Sequence, residues 1–292
     1  MKILVFGSNG QLGKSLVNVF YESDDDIFFF TKKDMDISDS IAMKENIDLI
    51  SPDIVINTAA YTLVDEAESK KKDAFNINEI AVKNLATICK KENIYLVHIS
   101  TDYVFDGNKI GPYTESDHKN PQSIYGLSKS NGEDVIIDSG CRFIIIRTSW
   151  VFSEYCKNFL KTMLMLSEKK ELSIVSDQFG CPTYAVDLAI AIKKIILSNE
   201  KINGIFHFAG DKETTWFHFC KYILDEAFKL DLVDKIPLIN PIKTENYPTP
   251  ARRPKNSVLD SSSLTSLINF KPSDWRLGVK MSLLSIKNNK NI

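Results

Sequence analysis

Through about the first 210 residues, short uninterrupted apolar runs alternate with longer stretches of helical periodicity. The runs are KILVF (2–6), IFFF (27–30), DIVIN (53–57), YLVHIS (95–100), FIIIRTS (143–149) and GIFHF (204–208). They are rich in β-branched and aromatic residues and too short for helices, so they read as strands. Apolar positions along the whole of a strand mean that both of its faces are covered, and the intervening segments 11–22, 73–92 and 124–139 supply helices to cover them. The pattern therefore predicts an α/β fold, a Rossmann-type doubly wound parallel sheet. After about residue 150 the alternation loosens. The stretch PLINPIKTENYPTPARRP (237–254) is proline-rich and predicts no regular element. We expect a sheet domain over 1–150, rejoined by the chain around 184–210, and a smaller C-terminal lobe over 151–292 that binds substrate above the sheet's carboxyl edge. The closing KNNKNI is polar and expected to fray.

Composition narrows the function classes. At 292 residues with 43% hydrophobic content, the chain can bury a large core as one two-lobed unit. Thirty-six Lys plus Arg against 38 Asp plus Glu leave a net charge of −2, which gives no field to attract nucleic acid or an anionic membrane. The five cysteines (Cys89, Cys141, Cys156, Cys181, Cys220) are widely spaced, with no CxxC pair and no histidine-flanked metal spacing. They read as reduced thiols, and no metal ligand set is assigned. No apolar run has the length of a membrane span, and the N-terminal run meets a glycine turn too soon for a signal peptide. A soluble cytoplasmic protein acting on a small molecule is the expectation.

The first strand runs into GSNGQLG, which places Gly7, Gly10 and Gly13 in a GxxGxxG spacing at a strand-to-helix turn. Glycines there let the backbone approach a pyrophosphate, which the free amides and positive end of the following helix hold. The second strand ends FFFTKKDMD. Lys32 and Lys33 stand where a ribose 2′-phosphate would be neutralised, which favours NADPH over NADH. Asp36 and Ile37, slightly further on, would flank the adenine.

The fourth strand delivers Ser100, Thr101 and Asp102 to the sheet's carboxyl edge, where ligands of such sheets bind. In YGLSK, Tyr125 and Lys129 lie four apart on one helical face, so the phenol would feel the ammonium and titrate lower than usual. A hydroxyl (Thr101), a phenol and an ammonium beside a nicotinamide make a proton-delivery set for carbonyl reduction.

The order GxxGxxG, NTAAYTLVDEAE, STDYVFDG, YGLSK, RTSWVF, DQFGCPT and YPTPARRPKNS resembles the dTDP-4-dehydrorhamnose reductases, of the extended short-chain dehydrogenase/reductase superfamily, from about residue 1 to 285. The resemblance implies reduction of dTDP-4-dehydro-L-rhamnose to dTDP-L-rhamnose for a cell-surface polysaccharide, with NADPH or NADH as donor. It implies that Asn9, Gly10, Gln11 and Leu12 touch the cofactor phosphates, Asp36 and Ile37 the adenine side, and Ala60, Tyr61 and Thr62 the cofactor's middle. Tyr125 becomes the proton donor and Lys129 its tuner, bonded also to the nicotinamide ribose. Thr101 and Asp102 would hold the sugar, with the apolar face of Trp150 laid against it. Arg252 and Arg253 would clamp the diphosphate. Two departures stand out. Tyr61 replaces a histidine common in the family, and no carboxylate cluster matches the magnesium site of some members, which leaves the metal and a homodimer open. A sugar-nucleotide 4,6-dehydratase would carry a carboxylate where this chain has Tyr103. An epimerase would retain its NAD. A non-catalytic subunit similar to the beta subunit of methionine adenosyltransferase would not need Thr101, Tyr125 and Lys129 together.

Overall fold

Six parallel strands form the central sheet: β1 (Lys2–Phe6), β2 (Asp26–Phe30), β3 (Ile54–Asn57), β4 (Tyr95–Thr101), β5 (Arg142–Thr148) and a sixth, Gly204–His207. Their spatial order is sixth-β5-β4-β3-β1-β2. The computed structural model describes residues 1–198 and 201–290. Each apolar run read from the sequence is one of these strands. The strand order reverses at β1, which has β2 on one side and β3 on the other, so a crevice opens above the carboxyl ends of β1 and β3.

Side chains alternate across the sheet, and both sets are buried. Ile3, Val5, Ile54, Ile56, Val97 and Ile144 pack against Leu12 and Leu16 of α1 (Gln11–Val19) and against Leu188, Ile192 and Ile195 of the helix Ala185–Leu197. Leu4, Phe6, Val55, Leu96 and Ile145 pack on the other face against Met43, Ile47, Leu85 and Ile136. The helix Ile124–Ser139 begins at Ser123, whose Oγ accepts from the Gly126 amide at 3.1 Å, and ends at Gly140 in a left-handed conformation (φ 64°). The segment expected to be helical over 73–92 is interrupted: a π-turn, Asn76–Ile80, separates Lys71–Phe75 from Ala81–Lys91.

A second core lies beyond β5. Phe152, Leu160, Leu172, Phe219, Ile223, Trp275 and Val279 are buried together there. Within the proline-rich stretch, Leu238–Ile242 is a strand and pairs in parallel with Glu171–Val175, Pro241 opposite Ile174. The expectation of no regular element thus fails for these five residues and for the single 3₁₀ turn Thr244–Asn246. The sheet has only two strands, so one side of Leu238–Ile242 needs no ladder donors and tolerates proline. The chain also returns to the first core a second time, through Leu264 and Ile268. Of KNNKNI, residues 287–290 continue the helix Trp275–Lys290, and 291–292 lie outside the described residues. All five cysteines are free thiols, four of them buried and Cys156 exposed. Among the described residues no helix is long and apolar enough to cross a membrane.

Candidate active site

The turn after β1 is built around backbone contact. Gly7 has φ 82°, and the amides of Gly7 and Ser8 both donate to the Phe30 carbonyl at 3.0 and 3.1 Å. A Cβ at Gly7 would stand 2.7 Å from the Ala59 nitrogen, and one at Gly13 would stand 2.5 Å from Ser8 Cα. Only glycine fits at these two positions. Gly10 caps α1 without any side-chain hydrogen bond to the first turn. The amides at that helix end, with the positive end of its dipole, are left without a side-chain acceptor. The Gln11 side chain is committed elsewhere: its Oε1 accepts from Ser153 Oγ at 3.0 Å and from Asn158 Nδ2 at 2.8 Å. Gln11 and the buried Leu12 thus have only backbone to offer a phosphate. The Asn9 carbonyl accepts from Cys156 Sγ at 3.2 Å.

At the end of β2, Lys32 pairs with Asp36 at 3.3 Å while remaining 79% exposed, and Lys33 is exposed. Burial pushes the Asp36 carboxyl up, but its bonds from Ser38 and the Lys32 ammonium outweigh this and hold it below the usual carboxylate range. Ile37 is buried in the core beside Met35 and Met43. Its side chain is therefore not free to flank an adenine, since burial in the sheet's second face claims it first.

Ala60, Tyr61 and Thr62 follow β3. The Tyr61 backbone is held at both ends by one side chain: its amide donates to Asn78 Oδ1 (2.9 Å), and Asn78 Nδ2 donates to its carbonyl (3.1 Å). Asn78 Nδ2 also reaches Ser128 Oγ at 3.0 Å. Asn78 lies in the π-turn, so the local widening of the helix carries the residue that fixes this loop.

Tyr125 is half-buried, in the first turn of its helix. Lys129, one turn further on, is only 2% exposed. Its Nζ donates to the Ile99 carbonyl at 2.7 Å and lies 3.2 Å from His98 Nε2. Burial depresses the Lys129 ammonium to about 8, with Glu133 pulling it back. The expected lowering of the Tyr125 phenol does not occur. Burial pushes it up to about 12, the Thr101 hydroxyl offsets part of this, and the Asp102 carboxylate adds to it. The ammonium acts little on the phenol because it is turned toward the backbone of β4 and His98. At neutral pH Tyr125 is accordingly a protonated donor rather than a base.

Thr101 Oγ1 donates to Asp102 Oδ1 at 3.1 Å and accepts from the Tyr103 amide at 3.2 Å. Asp102 is 4% exposed, and burial pushes its carboxyl up to about 6. Its second oxygen, Oδ2, is buried without a partner among the described residues. Trp150 has φ 50° and stacks on Trp216 with centroids 3.5 Å apart and an 11° angle, so a second indole already covers one face of its ring. A Cβ at Gly180 would come within 2.5 Å of the Trp150 ring, so that position too is restricted to glycine. Arg253 Nη2 pairs with Asp65 Oδ2 at 3.0 Å, whereas Arg252 reaches Gln122 Oε1 at 3.2 Å on the exposed side. The two arginines do not act on one point, but both line a cavity of about 350 Å³ with Asp106, Tyr247 and Lys255.

The sequence alone did not point to several residues of this region. Asn78 and His98 carry no motif of their own, and Asp65 and Tyr103, though inside the quoted blocks NTAAYTLVDEAE and STDYVFDG, were given no role there. Glu133 bonds Arg147 twice in the interior, Nε at 2.9 Å and Nη2 at 2.7 Å, and also takes the Ser100 hydroxyl at 2.6 Å. Its i+4 spacing from Lys129 was the available signal. Among the described residues no group of three or more His, Cys, Asp or Glu side chains is placed to hold a metal ion.

A switch-point sheet, a glycine-lined helix end and a Tyr–Lys helix beside a hydroxyl-bearing strand end define an oxidoreductase of the extended short-chain dehydrogenase/reductase class. The family model described as the RmlD substrate binding domain matches residues 1–288, and the chain belongs to the dTDP-4-dehydrorhamnose reductase family. It is 39% identical over 285 residues to the dTDP-4-dehydrorhamnose reductase of Aggregatibacter actinomycetemcomitans, covering 96% of this chain and 97% of that one. The crystal structure of a dTDP-4-dehydrorhamnose reductase from Clostridium acetobutylicum superposes with a TM-score of 0.91 at 36% identity, over 98% of this chain and 100% of that one. That of the Bacillus anthracis enzyme in complex with NADP gives 0.90 at 35% identity, over 97% and 99%.

Proposed function

We propose that this protein reduces the 4-keto group of dTDP-4-dehydro-L-rhamnose to give dTDP-L-rhamnose, with NADPH as donor, in the cytoplasm and for a cell-surface polysaccharide. The observation that carries this reading is Tyr125, a phenol kept protonated beside Thr101 at the carboxyl edge of the sheet. The residues present fit a dinucleotide. Gly7 and Gly13 let the turn close tightly on the backbone of Ala59 and Ser8, and the first turn of α1 is left without a side-chain acceptor. When bound, the cofactor supplies hydride to the carbonyl carbon. NADP in the Bacillus anthracis relative supports the phosphorylated form, as do Lys32 and Lys33 at the end of β2.

The chain's own groups do the rest. Amides of residues 10–13 bind the pyrophosphate, and the loop of Ala60, Tyr61 and Thr62, fixed by Asn78, borders the cofactor's middle. Lys129 holds the nicotinamide ribose. Tyr125 gives its Oη proton to the oxygen of the reduced carbonyl. Thr101 and the unpartnered Oδ2 of Asp102 receive sugar hydroxyls, and Trp150, braced by Trp216, covers the sugar's apolar face. Arg253 and the cations of the neighbouring cavity meet the diphosphate.

The reading is tested by mixing the purified protein with NADPH and dTDP-4-dehydro-L-rhamnose, following loss of reduced-cofactor absorbance and identifying the product sugar. Formation of dTDP-L-rhamnose is expected. Turnover only with a different keto sugar nucleotide would replace the substrate and leave the proton donor in place.

A further inference from the structure

His98 and Asn57 have no part in the chemistry above, yet the two form a buried chain that ends on Lys129. His98 sits on β4 with no exposed surface, one residue before the carbonyl that accepts from Lys129. Its Nδ1 lies 3.2 Å from Asn57 Nδ2, and its Nε2 lies 3.2 Å from Lys129 Nζ. The hydrogens of these partners decide its tautomer. The Ala59 backbone amide can only donate, and it donates to Asn57 Oδ1 at 3.1 Å. That fixes the orientation of the Asn57 amide and turns its NH2, a donor, toward His98 Nδ1. Nδ1 must then accept, and a neutral His98 carries its proton on Nε2, aimed at Lys129. The amine form of Lys129 accepts that hydrogen while donating one of its own to Ile99. The ammonium form has no lone pair, so against Nε2–H it sets donor against donor.

We propose that His98, held in the Nε2–H tautomer by Asn57, is a positioning residue for Lys129: its hydrogen bond is available only to the amine, so it favours the amine over the ammonium and sets the pH at which Nζ takes up its proton. The inference rests on the roles given above to Tyr125 and Lys129. Burial and the neighbouring Lys129 charge hold His98 well below the usual imidazole range, so it is neutral as required. Other charged or titratable groups around the helix are engaged with different partners. Glu133, one turn beyond Lys129, is taken by Arg147 of β5, Ser100 and Lys119. Asp102 and Tyr103 lie beside Tyr125. Glu79 of the π-turn accepts from Asn131, and Glu68 accepts from the Ile124 amide.

Asn57→Asp exchanges one heavy atom of the chain and adds a carboxylate charge, which by itself also favours the ammonium, so the tautomer read from nitrogen-15 spectra separates the two effects. It keeps the oxygen that accepts from Ala59 and replaces the facing NH2 by an acceptor, so His98 should move its proton to Nδ1 and offer Nε2 to an ammonium. Lys129 should then titrate about one unit higher or more. Nitrogen-15 spectra of the four histidines, with His98 assigned by its loss in His98→Gln, are expected to show Nε2–H in the native chain and Nδ1–H in Asn57→Asp. The alkaline limb of the reduction rate should rise by the same unit, giving about a tenfold activity advantage over the native profile on that limb once each is normalised to its plateau. A loss of stability alone would lower the plateau without moving the limb. A native His98 protonated on Nδ1 would overturn the proposal, and so would a tautomer that switches while the Lys129 titration stays put. If Asn57→Asp does not fold, the native tautomer decides. The spectra need no substrate, so they stand even if the protein acts on another sugar.

Discussion

Tyr103 meets Tyr125 edge to face, with ring centroids 5.5 Å apart and planes at 74°. The contact uses the rings alone, so Tyr125 is oriented independently of its hydroxyl. Tyr125→Phe should therefore keep the packing and the helix while removing the transferable proton. Turnover is expected to fall by roughly 10² to 10⁴, with NADPH affinity nearly unchanged in a fluorescence titration. Near-native reduction by this variant would rule Tyr125 out as the donor.

The pH profile of reduction follows from two groups. Tyr125, at about 12, stays protonated through the working range, whereas Lys129, at about 8, does not. As pH rises past about 8, Lys129 loses the charge with which it is proposed to hold the nicotinamide ribose, and the rate should fall. Lys129→Met should abolish this limb and lower turnover and cofactor affinity together. A rate that stays flat to pH 10 in the native protein would contradict the assignment.

Asp102 makes a prediction about stability. Its carboxyl is pushed from 3.8 up to about 6 by burial, so the folded chain binds the extra proton between those values. Stability therefore falls as pH rises from about 4 through 6, and the cost persists at pH 7. Asp102→Asn should raise stability at pH 7 by roughly 1 to 3 kcal/mol, with the gain vanishing near pH 4 and below. Urea unfolding at the two pH values measures the difference. Activity should drop in the same variant, because a sugar contact is lost.

Cofactor choice is testable at the end of β2. Lys32 shares its charge with Asp36, while Lys33 makes no salt bridge among the described residues. Replacing both by Ala should weaken NADPH roughly ten- to a hundredfold more than NADH, as expected for lost charge-assisted bonds worth about 1 to 3 kcal/mol. Equal losses for the two cofactors in binding titrations would remove these lysines from the 2′-phosphate.

The parts of the fold that depend on local pattern could be read from the sequence. Uninterrupted apolar runs marked all six strands, and Ser123 with Gly140 bounded the Tyr125 helix where periodicity placed it. What escaped depends on partners distant in the chain. Leu238–Ile242 is a strand because Glu171–Val175 lies beside it, which proline content cannot announce. Lys129 Nζ turns to the Ile99 carbonyl and lies beside the His98 imidazole on β4, partners that its helical spacing from Tyr125 does not announce. The committed side chains of Gln11 and Ile37 likewise became visible only when the second lobe and the core were in place.

The sixth strand, Gly204–His207, closes the edge of the sheet beside β5, and the helix that covers α1 precedes it at Ala185–Leu197. A ribosome that has just released residue 150 has therefore made five strands but neither that neighbour nor that cover. The apolar face of β5 and the inner face of α1 stay open to water until residues of the other lobe have been synthesised as well. The sheet and its cover are therefore completed only by residues beyond 184, and a gene cut at residue 150 would yield a fragment with an exposed sheet edge, prone to aggregate.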